Sequence, residues 1–310
     1  MDVKDIPHGE HISQENALRP STLKIWLLAT RPKTLTAAAV PVVVGSALAH
    51  SMGKFAPAQA LAALLVAFFI QIGTNFANDL FDFQKGADTE ERLGPLRVTS
   101  AGLVTPKQIT IACAAAFGLA FLCGLFLVYS TSWILLVVGI ASILSGLAYT
   151  GGPFPLAYNA LGDLFVFIFF GLVATVGTFY VQTHSLDPIA FWYAVPVGAL
   201  STAILIVNNL RDVHTDKKHS KVTTAVLLGP PMTRLFYLSM ILLAYAVPVV
   251  LFLTGKGTAW PMLAIGSLPI ALISLKNVWQ KEGAELNQVL AQTSILLLST
   301  CLLMSIGLIL

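Results

Sequence analysis

Residues 58–88 read AQALAALLVAFFIQIGTNFANDLFDFQKGAD. No charged residue occurs from Ala58 to Asn78, and the apolar residues run on rather than alternate. At 1.5 Å per helical residue such a run crosses the roughly 30 Å hydrocarbon core of a bilayer. Its lack of alternation argues against a transmembrane barrel strand. The run then turns acidic at Asp79, Asp82 and Asp88. On a helix, Asn75, Asn78, Asp79 and Asp82 fall at i, i+3, i+4 and i+7, which makes one polar stripe at the end of an oily rod.

Outward from this stretch the chain repeats the theme. Of its 310 residues 56% are hydrophobic and only 11% charged, whereas a soluble domain carries about a quarter charged residues. About nine apolar stretches are expected to span: 23–49, 58–82, 108–129, 132–149, 161–182, 189–210, 233–254, 259–276 and 289–310. Arg31 and Lys33 interrupt the first, which suggests an interfacial segment around Ile25–Leu28 that turns into a span from Thr34. Pro106 and Pro188 stand where helices should start. The fold class expected is therefore all-α: a polytopic integral membrane protein with helices around a central cavity. Residues 23–310 form one membrane domain, and 1–22 a polar cytoplasmic tail without a cleavable signal.

Of the 18 Lys and Arg residues, all but Lys54 and Lys256 lie on one set of connections. The positive-inside rule then puts the N-terminus and both long polar loops in the cytoplasm of a cell whose inner membrane holds the chain. These basic residues are too sparse to point to nucleic acid. Cys113, Cys123 and Cys301 all lie in apolar spans, in no disulfide or zinc pattern, and read as structural thiols.

A second acidic cluster ends the sixth span: Asn208-Asn-Leu-Arg211-Asp212-Val-His-Thr-Asp216. Continued as a helix, Asn208, Arg211, Asp212 and Asp216 share a face. Each cluster is followed by a basic loop, so the two halves rhyme and suggest two bundles facing one cavity. Acids at helix C-termini oppose the macrodipole, and like charges at i+4 repel. Merely marking a membrane boundary would not call for that arrangement, whereas Mg²⁺ would relieve it and takes its ligands from carboxylates, waters and substrate phosphates. Lys85, Arg92 and Arg97 follow the first cluster and Lys217, Lys218 and Lys221 the second, while Arg31 comes from the same side. Such cations balance a diphosphate. In a membrane protein, a lipid diphosphate suits this combination: its tail among apolar helices, its head at the charged face. A third connection, Tyr149-Thr-Gly-Gly-Pro153-Phe-Pro155-Leu-Ala-Tyr158-Asn-Ala-Leu-Gly-Asp163, lacks Lys and Arg. Tyr149 is a candidate for orienting an acceptor, and Asp163 opens the next span.

On Arg31-Pro-Lys-Thr-Leu35, Asn78-Asp-Leu-Phe-Asp82-Phe-Gln-Lys-Gly86-Ala-Asp88, Arg92-Leu-Gly-Pro-Leu-Arg97 and Asn208-Asn-Leu-Arg-Asp212-Val-His-Thr-Asp216, the chain resembles the UbiA superfamily of intramembrane aromatic prenyltransferases over about 24–310. The 92–97 string and the Asn-Asn-x-Arg-Asp form are similar to the branch that prenylates 1,4-dihydroxy-2-naphthoate. The resemblance implies nine spans around a cavity open to lipid, a polyprenyl diphosphate donor, an aromatic acceptor and Mg²⁺. It implies Mg²⁺–diphosphate roles for Asp79, Asp82, Asp212 and Asp216, supported by Asn75, Asn78, Lys85, Arg92, Arg97, Asn208, Arg211 and Lys221. Arg31 and Asp163 are candidate acceptor contacts. Asp88 stands six residues past Asp82 where other branches have four, so it is carried as a metal candidate only. Ser220 replaces a commoner glycine. The alternatives are another acceptor (4-hydroxybenzoate, homogentisate, chlorophyllide or haem) or a transporter using the acidic clusters. A transporter's acids would sit near mid-membrane rather than at one face beside basic loops.

Overall fold

Prolines set several of the helix starts. In the computed structural model, which describes residues 20–86 and 93–310, Pro32, Pro57, Pro106 and Pro188 each occupy a first turn, where a missing N–H costs nothing. The expected tail as far as residue 19, with Asp88 and Arg92, lies outside the described residues. The helices are α1 (Thr22–Thr30), α2 (Pro32–Ser51), α3 (Pro57–Gln84), α4 (Pro106–Ser130), α5 (Ile134–Ala148) and α6 (Gly162–Thr183). They continue with α7 (Pro188–Arg211), α8 (Val213–Lys218), α9 (Thr224–Leu253), α10 (Trp260–Gln280) and α11 (Leu286–Ile309). Among the described residues, eight helices are long and apolar enough to cross a membrane, and α5 is a shorter apolar one. That agrees with the expected nine spans. This is an integral multi-pass membrane protein. Large apolar side chains such as Leu61, Leu122, Leu144, Leu242 and Ile273 lie exposed on its outside, as lipid contact requires.

Three local features differ from the simple pattern. The first span is two helices, because Arg31 takes a left-handed conformation (φ 52°) between Thr30 and Pro32. The second acidic stripe is not one helix: α7 stops at Arg211, Asp212 leaves helical geometry (φ −96°, ψ 7°), and α8 starts anew. The break coincides with an ion pair between Arg211 and its neighbour Asp212, Nη2 to Oδ2 at 2.5 Å; adjacent residues on an intact helix do not face each other. The long polar loop expected after the sixth span is also largely helical: it holds α8 and the start of α9, which breaks at Gly229 (φ 72°) just before Pro230 and Pro231.

The centre of the bundle is α7, whose Ala199, Leu200, Ala203 and Val207 are fully buried. Against it packs α6, whose middle, Phe167–Val173, widens into a π-helical turn. Contact there is backbone to backbone. A Cβ on Gly171 would lie 2.7 Å from Gly198 Cα and 3.1 Å from Ala194 O. Small residues at such crossings are how helices associate where lipid removes the hydrophobic driving force. Gly171→Ala is therefore expected to destabilise the fold by about 1–3 kcal/mol, read as a lower unfolding temperature in detergent. An unchanged temperature would contradict the close crossing.

Candidate functional site

A cavity of about 1150 Å³ opens between α2, α3, α5, α6, α7 and α11. Its wall is mostly apolar. Ala63 and Asp82 both line it from α3, about 28 Å apart along the helix axis at 1.5 Å per residue. The cavity is thus a long greasy slot with a charged head.

The first cluster splits between head and scaffold. Asp82 lines the cavity. One of its oxygens pairs with Arg97 Nη2, and the other accepts from the Tyr158 hydroxyl at 3.0 Å. Asn78 lines it too and accepts from the Thr150 hydroxyl. Asp79 is buried but turned to the 93–104 loop, where its two oxygens accept the Val98 and Thr99 N–H groups at 3.2 and 3.3 Å. Asn75 likewise does not reach the cavity wall. It donates to Thr30 O and Thr34 Oγ1, both at 2.9 Å, and so braces the turn that carries Arg31. Arg31 itself lines the cavity, as does Arg97. Lys85 turns back to donate to Thr150 O at 2.5 Å. Burial holds its ammonium below the ordinary lysine range, against the pull of Asp82.

The second cluster is held by a fork. Arg211 is buried, its Nε 2.8 Å from Asp212 Oδ1, and its Nη2 2.9 Å from Asn208 Oδ1. Asn208 and Arg211 line the cavity. Asp216 is buried, with Oδ1 3.1 Å from Lys221 Nζ, while Oδ2 has no hydrogen-bond partner. Burial pushes its carboxyl up from the usual range, and Lys221 opposes that. Lys221 lines the cavity. Tyr149 and Asp163 also line it. Asp163 is 5% exposed, and its Oδ1 has no hydrogen-bond partner.

Sequence reasoning gave no role to Tyr158 or Asn287. Tyr158 sits in the connection after α5, and burial, then the neighbouring Asp82, push its hydroxyl well above the usual tyrosine range. It therefore stays protonated and donates. Asn287, on α11, accepts from Arg211 Nη1 at 2.8 Å and donates to Leu93 O at 2.9 Å, clipping the two motif loops together. Tyr158 offered one hint, a polar side chain in a connection without Lys or Arg, whereas Asn287, close to Lys281, Glu282 and Glu285, offered none.

Mg²⁺ is the group that such a head implies. Among the described residues no three His, Cys, Asp or Glu side chains form a ready cage. The donor set instead fits a hydrated ion shared with phosphate oxygens, which is how Mg²⁺ is usually bound. Asp82 comes from one cluster and Asp216 from the other, and they lie within electrostatic reach of each other. Asp216 Oδ2 is a buried oxygen still lacking a partner.

Residues 38–299 match the model of the UbiA prenyltransferase family. The chain belongs to that family. It is 38% identical to a 1,4-dihydroxy-2-naphthoate octaprenyltransferase of Mycobacterium tuberculosis, over 88% of this chain and 92% of that one. It is 35% identical to the Bacillus subtilis protein of the same name, over 92% and 91%. In fold it is similar to a UbiA homologue from Archaeoglobus fulgidus solved with DMAPP and Mg²⁺, at TM-score 0.63, 18% identity, and 92% and 98% coverage. These likenesses span the membrane bundle and both acidic clusters.

Proposed function

We propose that this chain is a Mg²⁺-dependent aromatic prenyltransferase that moves a polyprenyl group from an allylic diphosphate to 1,4-dihydroxy-2-naphthoate. Diphosphate and carbon dioxide leave, and demethylmenaquinone or a phylloquinone precursor forms. The observation that carries this is that residues of both clusters, Asn78 and Asp82 from the first and Asn208 and Arg211 from the second, line the charged head of one long apolar cavity. Naphthoate as acceptor rests on the relatives' names.

In this proposal Asp82 at the cavity wall holds the ion with Asp212 and Asp216, which do not themselves line the cavity; Asn78 and Asn208 assist, and Arg97, Lys221 and Arg211 face the diphosphate. Asp79 and Asn75 act one step back, the first through the 97–99 backbone and the second through Arg31. When bound, Mg²⁺ offsets the diphosphate charge and makes it a better leaving group. The apolar wall keeps water from the allylic cation that its departure leaves. The stacked Phe165 and Phe169, with ring centroids 5.9 Å apart, offer π faces to it. Arg31, Tyr149 and Asp163 orient the acceptor. The head faces the cytoplasm of an inner membrane, as the loop charges favour.

The test is an acceptor screen on detergent-solubilised protein. Geranylgeranyl diphosphate and Mg²⁺ are supplied with naphthoate, 4-hydroxybenzoate or homogentisate, and products are weighed by mass spectrometry. A prenylated naphthol without the carboxylate, absent when Mg²⁺ is chelated, is the expected result. Product with a different ring only would move the acceptor. No product with any ring would sink the proposal.

A further inference from the structure

Tyr158 makes contacts that no ordinary loop residue needs. Its hydroxyl donates to Asp82 Oδ1 at 3.0 Å. Lys85 Nζ lies 4.2 Å from the ring centroid and Lys221 Nζ lies 5.7 Å from it, both within cation–π range. Lys85 and Asp82 belong to the first cluster, while Lys221 follows the second and pairs with Asp216. The backbone on either side of Tyr158 is fixed to that second loop. Val222 N donates to Tyr158 O at 3.2 Å and Ala160 N to Val222 O at 2.7 Å, a parallel bridge between Asn159 and Val222. One side chain thus touches an anion and a cation of the first cluster and a cation of the second, on a backbone anchored to the second.

We infer that Tyr158 is a positioning residue that assembles the metal–diphosphate head from the two motif loops: its hydroxyl aims the Asp82 carboxylate, and its ring gathers Lys85 and Lys221. The inference rests on the prenyl-transfer proposal above and adds to it a residue outside both acidic motifs. A free carboxylate at the end of a helix samples several rotamers. With one oxygen held by a neutral donor and the other by Arg97, Asp82 has a single orientation before any ligand arrives, and that saves ordering cost on binding. The donor is neutral, so it fixes the carboxylate without cancelling the charge that a cation needs. Two lysines drawn to one ring lose freedom in the same way. Their charges repel, and the π face offsets that repulsion. The connection from residue 149 to 163 carries no Lys or Arg of its own, so the cations that Tyr158 arranges come from other segments.

The test separates the two parts of Tyr158 and asks whether the hydroxyl acts through Asp82. Binding of geranylgeranyl diphosphate to the full-length protein in detergent is titrated against Mg²⁺ for the unsubstituted protein, Tyr158→Phe, Tyr158→Leu, Asp82→Asn and the double variant Tyr158→Phe/Asp82→Asn. Tyr158→Phe is expected to raise the half-saturating Mg²⁺ concentration about tenfold, as loss of one hydrogen bond to a charged group does. In the Asp82→Asn background the same change is expected to add less than about twofold, because coupled residues are not additive. Tyr158→Leu is expected to weaken donor binding further at saturating Mg²⁺, through the freed lysines. In transfer assays the acceptor KM should stay within about twofold for Tyr158→Phe.

An unchanged Mg²⁺ titration in folded Tyr158→Phe would overturn the inference. So would an equal shift in both backgrounds, or an unfolding temperature that falls while the titration stays put, since either marks a merely structural tyrosine. If the unsubstituted protein binds the donor without any Mg²⁺ dependence, the proposed function fails, and the inference with it. Failure confined to the variants leaves the function standing.

Discussion

Asp82→Asn is expected to slow polyprenyl transfer by about 10²–10³-fold, a loss of about 3–4 kcal/mol of transition-state stabilisation. Of the first cluster's described carboxylates, Asp82 alone lines the cavity. The amide keeps the shape of the carboxylate and still accepts the Tyr158 hydroxyl. It loses the charge that a cation needs and the charge that faces Arg97. Arg97 is 8% exposed, so some stability goes as well, and the rate must be expressed per folded molecule. The comparison with Asp79→Asn makes the assignment sharp. Asp79 spends both oxygens on backbone N–H groups, and an asparagine can accept only one of those two bonds. Its loss should therefore loosen the loop that carries Arg97, lowering the rate with a smaller change in the Mg²⁺ needed for half-maximal transfer. The measurement is transfer rate against Mg²⁺ concentration for both variants. Near-normal transfer by folded Asp82→Asn would refute its place at the metal.

The different fates of Asp79 and Asp82 mark how far the sequence could be read. Hydropathy and prolines were enough for the spans, because length against bilayer thickness and the geometry of a first turn are local constraints. They located the α4 and α7 starts and the break at Arg31. The i, i+3, i+4 spacing put both acids on one stripe, but a stripe is wide: three residues turn a helix by about 300°, leaving the two about 60° apart. That angle is enough to send one acid to a loop and the other to the cavity, and nothing local says which. Periodicity would have continued a helix through Asp212, where the structure has a break and the Arg211–Asp212 pair. The bridge from Asn159 to Val222 joins distant segments through backbone groups alone, so it leaves no pattern of side chains to find. Ser220 was legible in part. The resemblance marked a commoner glycine there, and the residue adopts φ 55°, a left-handed conformation that glycine takes without steric cost.

Arg211→Lys is expected to cost more than the ~1–3 kcal/mol of a single buried partner left unsatisfied, because it breaks several bonds at once, and to remove most activity at the same time. The substitution keeps the charge, so the loss isolates geometry. The guanidinium meets Asp212 with Nε at 2.8 Å and Nη2 at 2.5 Å, Asn208 with Nη2 at 2.9 Å, and Asn287 with Nη1 at 2.8 Å. A single ammonium cannot reach three groups spread around a planar fork. The Arg211 side chain is 2% exposed, so water does not replace the lost bonds, and Asp212 is left charged beside a cation that no longer chelates it. The damage then spreads through Asn287. That amide also holds Leu93 O, which fixes the loop leading to Arg97. Asn287→Ala should reproduce the loop defect with a smaller stability loss, about 1–3 kcal/mol for the partners left unsatisfied. Unfolding temperature in detergent and transfer rate per folded molecule, measured on both variants, separate the two effects. If Arg211→Lys keeps the unfolding temperature and the rate of the unsubstituted protein, the fork is not what holds the second cluster in place.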